Sequence, residues 1–180
     1  MNPRRRLVLA VPALLLAGCG FQLRGAPDWP PELNPIYIGG LGARDPFYLL
    51  LAQNLRSSGV EILDARSPDA AELRVLSLRQ RRRVLSVTGA ARISEYELMR
   101  VLDAELRVPG VAEPRSLGPL RASRVYVFEA AAVLSQSERE EELARAMDRD
   151  LQRLLLLRIQ AVMGDLRAED PAEDPAADSG

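Results

Sequence analysis

The chain has 180 residues, 24 of them basic and 25 acidic, with no histidine and one cysteine. That length suits a single domain with a respectable core, one cysteine allows no intramolecular disulfide, and the balanced charge argues against nucleic acid as a partner. Without histidine there is no Ser-His-Asp or Cys-His relay and no His/Cys metal site, and no pair of acids sits in an apolar setting that would separate their pKa values, so neither an enzyme nor a bound cofactor or metal is expected.

Every basic residue is arginine. Two readings of this stay open. One is a GC-rich coding bias, which also raises alanine and leucine. The other is a use of the planar guanidinium fork, which suits phosphate and carboxylate.

Residues 1–18 read as a lipoprotein signal peptide. Arg4, Arg5 and Arg6 form a basic start, Leu7 to Ala17 is an apolar run interrupted by Pro12, and the small Ala17 and Gly18 lead into Cys19. The run is far short of the roughly 20 residues a membrane-spanning helix needs. Cys19 is therefore expected to be the acylated first residue of the mature chain, held to a membrane by its lipid at ~0.8 kcal/mol per buried CH₂. Gly20 stands where an aspartate would often mark inner-membrane retention, which favours the outer membrane. Setting aside Arg4, Arg5 and Arg6 leaves 21 basic residues against 25 acidic.

Residues 19–35 read as a lipidated tether. Pro27, Pro30, Pro31 and Pro35 keep it extended, and Trp29 is placed to anchor it to the domain or to the membrane interface. Residues 36–167 read as one domain. Ile36-Tyr37-Ile38 is a short strand closed by Gly39-Gly40. Asp45 then caps a helix with Pro46 at its first position; Phe47, Leu50, Leu51 and Leu55 make its apolar stripe, and Gly59 ends it. A further strand is expected within Val60 to Leu63.

Ala71 to Val87 begins as an alternating strand and runs into Arg79-Gln80-Arg81-Arg82-Arg83, the densest positive charge of the mature chain. That patch is either a solvated strand end or an anion-binding edge; if it stays extended, Arg79, Arg81 and Arg83 share one face. Ile93 to Val108 alternates cleanly, with Tyr96, Leu98, Leu102, Ala104, Leu106 and Val108 on one side and Glu95, Glu97, Asp103, Glu105 and Arg107 on the other, as a half-buried antiparallel strand does. Arg100 falls on the apolar side, so either a bulge resets the phase or Arg100 faces something other than a dry core. A connection runs from Pro109 to about Pro119. Ser123 to Ala130 is a strand apolar on both faces around Val125 to Phe128, which implies a central position or a partner over its outer face.

Ser137 and Glu140 match a capping box at the start of a long helix whose stripe is Leu143, Met147, Leu151, Leu154, Leu155, Ile159, Val162 and Leu166. Residues 168–180 are acidic, contain Pro171 and Pro175, and are expected to be disordered. Two amphipathic helices over one side of a small, mostly antiparallel (mixed) sheet make an α+β layer arrangement.

The run Gly18-Cys19-Gly20-Phe21-Gln22-Leu23-Arg24-Gly25 resembles the start of the mature LPS-assembly lipoproteins of the LptE family. Asn54-Leu55-Arg56 with Gly59-Val60-Glu61-Ile62-Leu63-Asp64 is similar to that family's first helix and its exit, and Ser94-Glu95-Tyr96-Glu97-Leu98 to its central strand. The resemblance implies two helices on a four-stranded sheet. It also implies an outer-membrane lipoprotein facing the periplasm, seated as a plug in the lumen of the β-barrel LptD, needed for that barrel's assembly, and binding lipopolysaccharide on its way to the outer leaflet. Family members carry basic residues near the loop before the central strand. Arg92 matches that place best, with Arg83 on the other flank; together with Arg81 these are the candidate lipopolysaccharide contacts, since arginine forks bind phosphate bidentately. The alternative is a non-catalytic periplasmic lipoprotein that scaffolds other envelope proteins.

Overall fold

A computed structural model of the chain describes residues 29–87, 93–127 and 133–169. Cys19 with the signal peptide, Arg92 and the tail beyond Glu169 lie outside the described residues. Among the described residues a 3-10 turn (Pro31–Leu33), where the prolines were expected to keep the chain extended, precedes six strands and two α-helices: β1 (Ile36–Gly39), α1 (Pro46–Ser57), β2 (Ile62–Leu63), β3 (Ala71–Val87), β4 (Ile93–Arg107), β5 (Arg115–Ser116), β6 (Leu120–Val127) and α2 (Val133–Glu169). The sheet runs β2-β1-β3-β4-β5, with β6 also paired to β4. The β1 pairings are parallel and the rest antiparallel. The four-stranded expectation is corrected to six. The extra members are two-residue strands, and β5 lies inside the stretch read as a connection, where so short a segment carries no alternation to read.

Local chemistry explains the first helix. The Asp45 carboxylate accepts from the backbone N–H of Phe47 at 2.8 Å and of Tyr48 at 3.4 Å, satisfying donors that have no partner within the helix. Gly59 leaves the helix at φ +80°, as expected of the residue after its end. Gly40 is required more strictly. Its φ is +85°, and a Cβ there would sit 1.9 Å from the carbonyl oxygen of Val75, so the chain can turn out of β1 against β3 only without a side chain.

One buried cluster joins both helices to one face of the sheet. Phe47, Leu51 and Leu55 of α1, Leu73, Leu102 and Leu106 of the sheet, and Met147, Leu151, Leu155 and Ile159 of α2 are its centre. Gln152 is also buried there and donates through Nε2 to the carbonyl oxygen of Leu50, which ties the two helices together. The expected α2 stripe packs as read except at Leu154, which lies exposed. Leu33, in the stretch read as tether, is wholly buried in the same core, and Trp29 packs against it while its indole N–H donates to the Leu33 carbonyl at 3.2 Å. For Trp29 the docking to the domain is thus the contact observed.

Two further expectations are corrected. Helical structure begins at Val133, so Ser137 lies inside α2 and is not its cap; a Ser-x-x-Glu spacing states where a cap is possible, not where the hydrogen bonds begin. And of the two readings of β6 the central position is not observed: among the described residues it is an edge strand paired with β4, and Val125 and Val127 are more than half exposed.

Candidate functional site on the uncovered sheet face

Among the described residues the opposite face of the sheet carries no helix, and its chemistry depends on one residue of β3. Ala71, Leu73 and Val75 point into the core. The register with β4 then shifts between Val75 and Ser77, so that Val75 pairs with Ala104 but Ser77 with Asp103. Leu76 is the extra residue of this bulge. Without it the odd-numbered residues would continue inward, and Arg79, Arg81 and Arg83 would face the helices. With it, Leu78, Gln80 and Arg82 take the helix side, and the three arginines emerge together on the uncovered face. They share one face as expected, but within a continuous seventeen-residue strand rather than at a strand end.

Across β4 these positions form rows. Arg79 stands level with Val101 and, beyond it, Arg121 of β6; Arg81 with Met99 and Ser123; Arg83 with Glu97 and Val125. Most of the charge is paired within the sheet. Arg79 Nη2 lies 3.0 Å from Asp103 Oδ2, Arg83 is bound to Glu97, and Arg74 Nη1 lies 3.3 Å from Glu105 Oε1. At the β1 side Arg66 and Arg107 flank the buried Glu72 at 2.8 and 3.7 Å. The hydrogen bond from Ser77 Oγ, followed by that from Arg79, holds the Asp103 carboxyl below the usual carboxylate range. Among the described residues, Arg81 and Arg121 are the strand arginines with no carboxylate within 4.0 Å. They border a shallow groove of about 310 Å³ whose lining includes Met99, Val101 and Pro119.

The helix face holds different polar groups. Arg82 Nη1 donates to Glu140 Oε1 of α2 at 2.9 Å, and the Tyr126 hydroxyl donates to the same oxygen. The Arg82 guanidinium carbon sits 4.8 Å above the Tyr96 ring, which stacks on Tyr126 at 5.7 Å between centroids. Burial, and then the bond to Glu140, push the Tyr126 hydroxyl above its ordinary pKa. Arg100, the residue out of pattern, points at α2, where its Nε lies 2.9 Å from Asp148 Oδ1 without an aligned hydrogen bond. Burial raises the Asp148 carboxyl despite that neighbour. No bulge interrupts β4 at Arg100; the second of the two readings is the one observed.

Of the sequence-derived candidates, Arg81 and Arg83 stand two residues apart on the uncovered face, with Arg83 already neutralised by Glu97. Cys19 and Arg92 lie outside the described residues. Arg121 was missed because the strand holding it was placed from Ser123 onward, although Arg121, Ser123 and Val125 alternate with Ala122, Arg124 and Tyr126. Among the described residues no helix is long and apolar enough to cross a membrane.

The fold and this face can be set beside known proteins. The rare lipoprotein B from Shewanella oneidensis shares the fold with a TM-score of 0.66 at 23% identity, over 74% of this chain and 99% of that one. A lipoprotein B from Nitrosomonas europaea gives 0.65 at 23%, over 84% and 97%. In sequence, the LPS-assembly lipoprotein LptE of Pectobacterium atrosepticum is 27% identical over 161 residues, 88% of this chain and 85% of its own. That of Yersinia enterocolitica is 29% identical over 156 residues, 81% and 73% respectively. The family model described as LptE, Lipopolysaccharide-assembly, matches residues 33–159. The match runs from the buried Leu33 to the buried Ile159 and so takes in every strand, the first helix and most of the second: this chain belongs to the LptE family.

Proposed function

We propose that this protein is an outer-membrane lipoprotein, anchored by lipid on Cys19 on the periplasmic side, that plugs the lumen of an LptD-type β-barrel, assists the barrel's assembly and binds lipopolysaccharide during insertion into the outer leaflet. The family match over residues 33–159 carries this reading. The uncovered sheet face supports it, because a plug inside a polar lumen needs a broad surface that is charged yet internally balanced, as the Arg79–Asp103 and Arg83–Glu97 pairs are. Lipopolysaccharide contacts are assigned to Arg81, which has no carboxylate within 4.0 Å among the described residues, and, from the family resemblance, to Arg92 and to Arg83, whose exposed guanidinium can reach a phosphate beside its Glu97 partner. The role is non-catalytic.

Affinity purification from detergent-solubilised outer membrane tests the plug. A large β-barrel is expected in stoichiometric amount; its absence, with surface lipopolysaccharide unchanged on depletion of the protein, would leave a scaffold for other envelope proteins as the better reading. Cys19→Ala is expected to impair targeting more than the barrel complex itself. A variant sent to the periplasm by another signal should still join the barrel.

A further inference from the structure

We infer that Arg81 and Arg121 together form a phosphate site with an apolar floor, on the groove lined by Met99, Val101 and Pro119, for a phosphate monoester carried by an amphiphile. The inference rests on the lipopolysaccharide-binding reading above and assigns its contact to a place on the sheet.

The pairing pattern singles out these two residues. The other strand arginines each have a carboxylate within 4.0 Å, so each already has an anionic partner in the protein. Arg81 and Arg121 have none among the described residues, and they lie on opposite sides of the same groove. Asp103, which also borders it, takes its hydrogen bonds from Ser77 and Arg79, and Arg121 acts on it only through longer-range attraction. The groove therefore holds a local excess of two positive charges in a surface otherwise balanced.

Geometry makes the pair a two-point site. Arg81 is in register with Met99 and Arg121 with Val101, on the strands either side of β4. Two inter-strand steps and a two-residue offset put their backbones roughly 12 Å apart on the diagonal. Two long forks on that diagonal close over one group lying between them. A lone exposed arginine holds phosphate weakly because water screens it. Here Met99, Val101 and Pro119 displace water beneath the ligand, which strengthens the attraction and gives the carbon part of an amphiphile a surface to cover. At about 310 Å³ the groove is at the lower end of small-molecule sites, roughly 300–1,000 Å³, so it suits one phosphorylated ring rather than a whole lipid.

The test uses the full chain purified in detergent, with lipid A carrying its phosphates and lipid A stripped of them as probes. Arg81→Gln/Arg121→Gln is expected to weaken binding of phosphorylated lipid A by about tenfold or more, as loss of charge-assisted hydrogen bonds does, and to leave binding of the stripped lipid unchanged. Arg153→Gln/Arg158→Gln, which removes the same two charges from exposed positions of α2, is the control and should leave both affinities as they are. Equal binding by wild type and double variant would overturn the site while leaving the broader reading intact. An equal loss for both probes would overturn the phosphate assignment. If the wild-type chain binds neither probe, the lipopolysaccharide reading and the site fall together. Both side chains are solvent-exposed, so an unchanged melting temperature will show that the fold is not the cause.

Discussion

The two ends of the β3–β4 hairpin are held by different physics. Near β1 the strands lie under both helices, and Leu73, Leu106, Leu155 and Ile159 are wholly buried. Toward the hairpin end β1 has stopped and α1 no longer covers the sheet. There the strands are held to each other by Arg83–Glu97 and to α2 by Arg82, Tyr126 and Glu140, and Val84 and Leu85 lie exposed. Burial of apolar area, at about 1.5–3 kcal/mol per large side chain, dominates the first end. Hydrogen bonds and ion pairs, each worth far less net, dominate the second. The uncovered charged face runs past both ends, but its two arginines without a carboxylate within 4.0 Å, Arg81 and Arg121, lie beyond the reach of β1.

Substitutions rank the two ends. The largest effect is expected from Leu151→Ala, which empties a site at the centre of the core and should lower stability by about 2–5 kcal/mol, read from urea unfolding. Tyr126→Phe should cost about 1–2 kcal/mol by removing a buried hydroxyl's bond to a carboxylate, with the loss concentrated in amide exchange of the hairpin end; a uniform loss over the whole sheet would erase the distinction drawn here. Smaller again, a double-mutant cycle on Arg83 and Glu97 should return a coupling of about 0.2–1 kcal/mol, shrinking in high salt.

The smallest effect concerns pH. The folded-state pKa of Asp103 is depressed below its ordinary 3.8 by Ser77 and Arg79. Its contribution is therefore complete above the unfolded value and is lost as pH falls through the folded one. Asp103→Asn should flatten the acid limb of a melting-temperature profile below about pH 4 and leave the neutral region's slope unaltered.

Much of the fold was legible because periodicity is local. The stripe Phe47, Leu51 and Leu55, the Asp45 cap, the Gly59 exit and the alternation from Tyr96 to Val108 each depend on neighbours within a few residues. What escaped was set at longer range. Leu76 looks like any other apolar strand residue, and only the pairing of β3 with β4 makes it a bulge. Ser137 satisfies a capping spacing, yet the helix had already begun at Val133. Arg82 reads as one more member of a basic run, and its bond to Glu140 spans 58 residues.

By itself, then, the sequence determined the alternation and stripes that make an α+β layer and the absence of histidine-based chemistry, because these follow from residue identity and local spacing. Which arginines are spent and which are free was decided only in three dimensions. A bulge at Leu76 turned Arg81 outward, the β4–β6 pairing brought Arg121 across from it, and carboxylates from the strands and from α2 neutralised the rest. Charge in a sequence is a sum, but charge at a surface depends on which opposite charges the fold brings within a few ångströms.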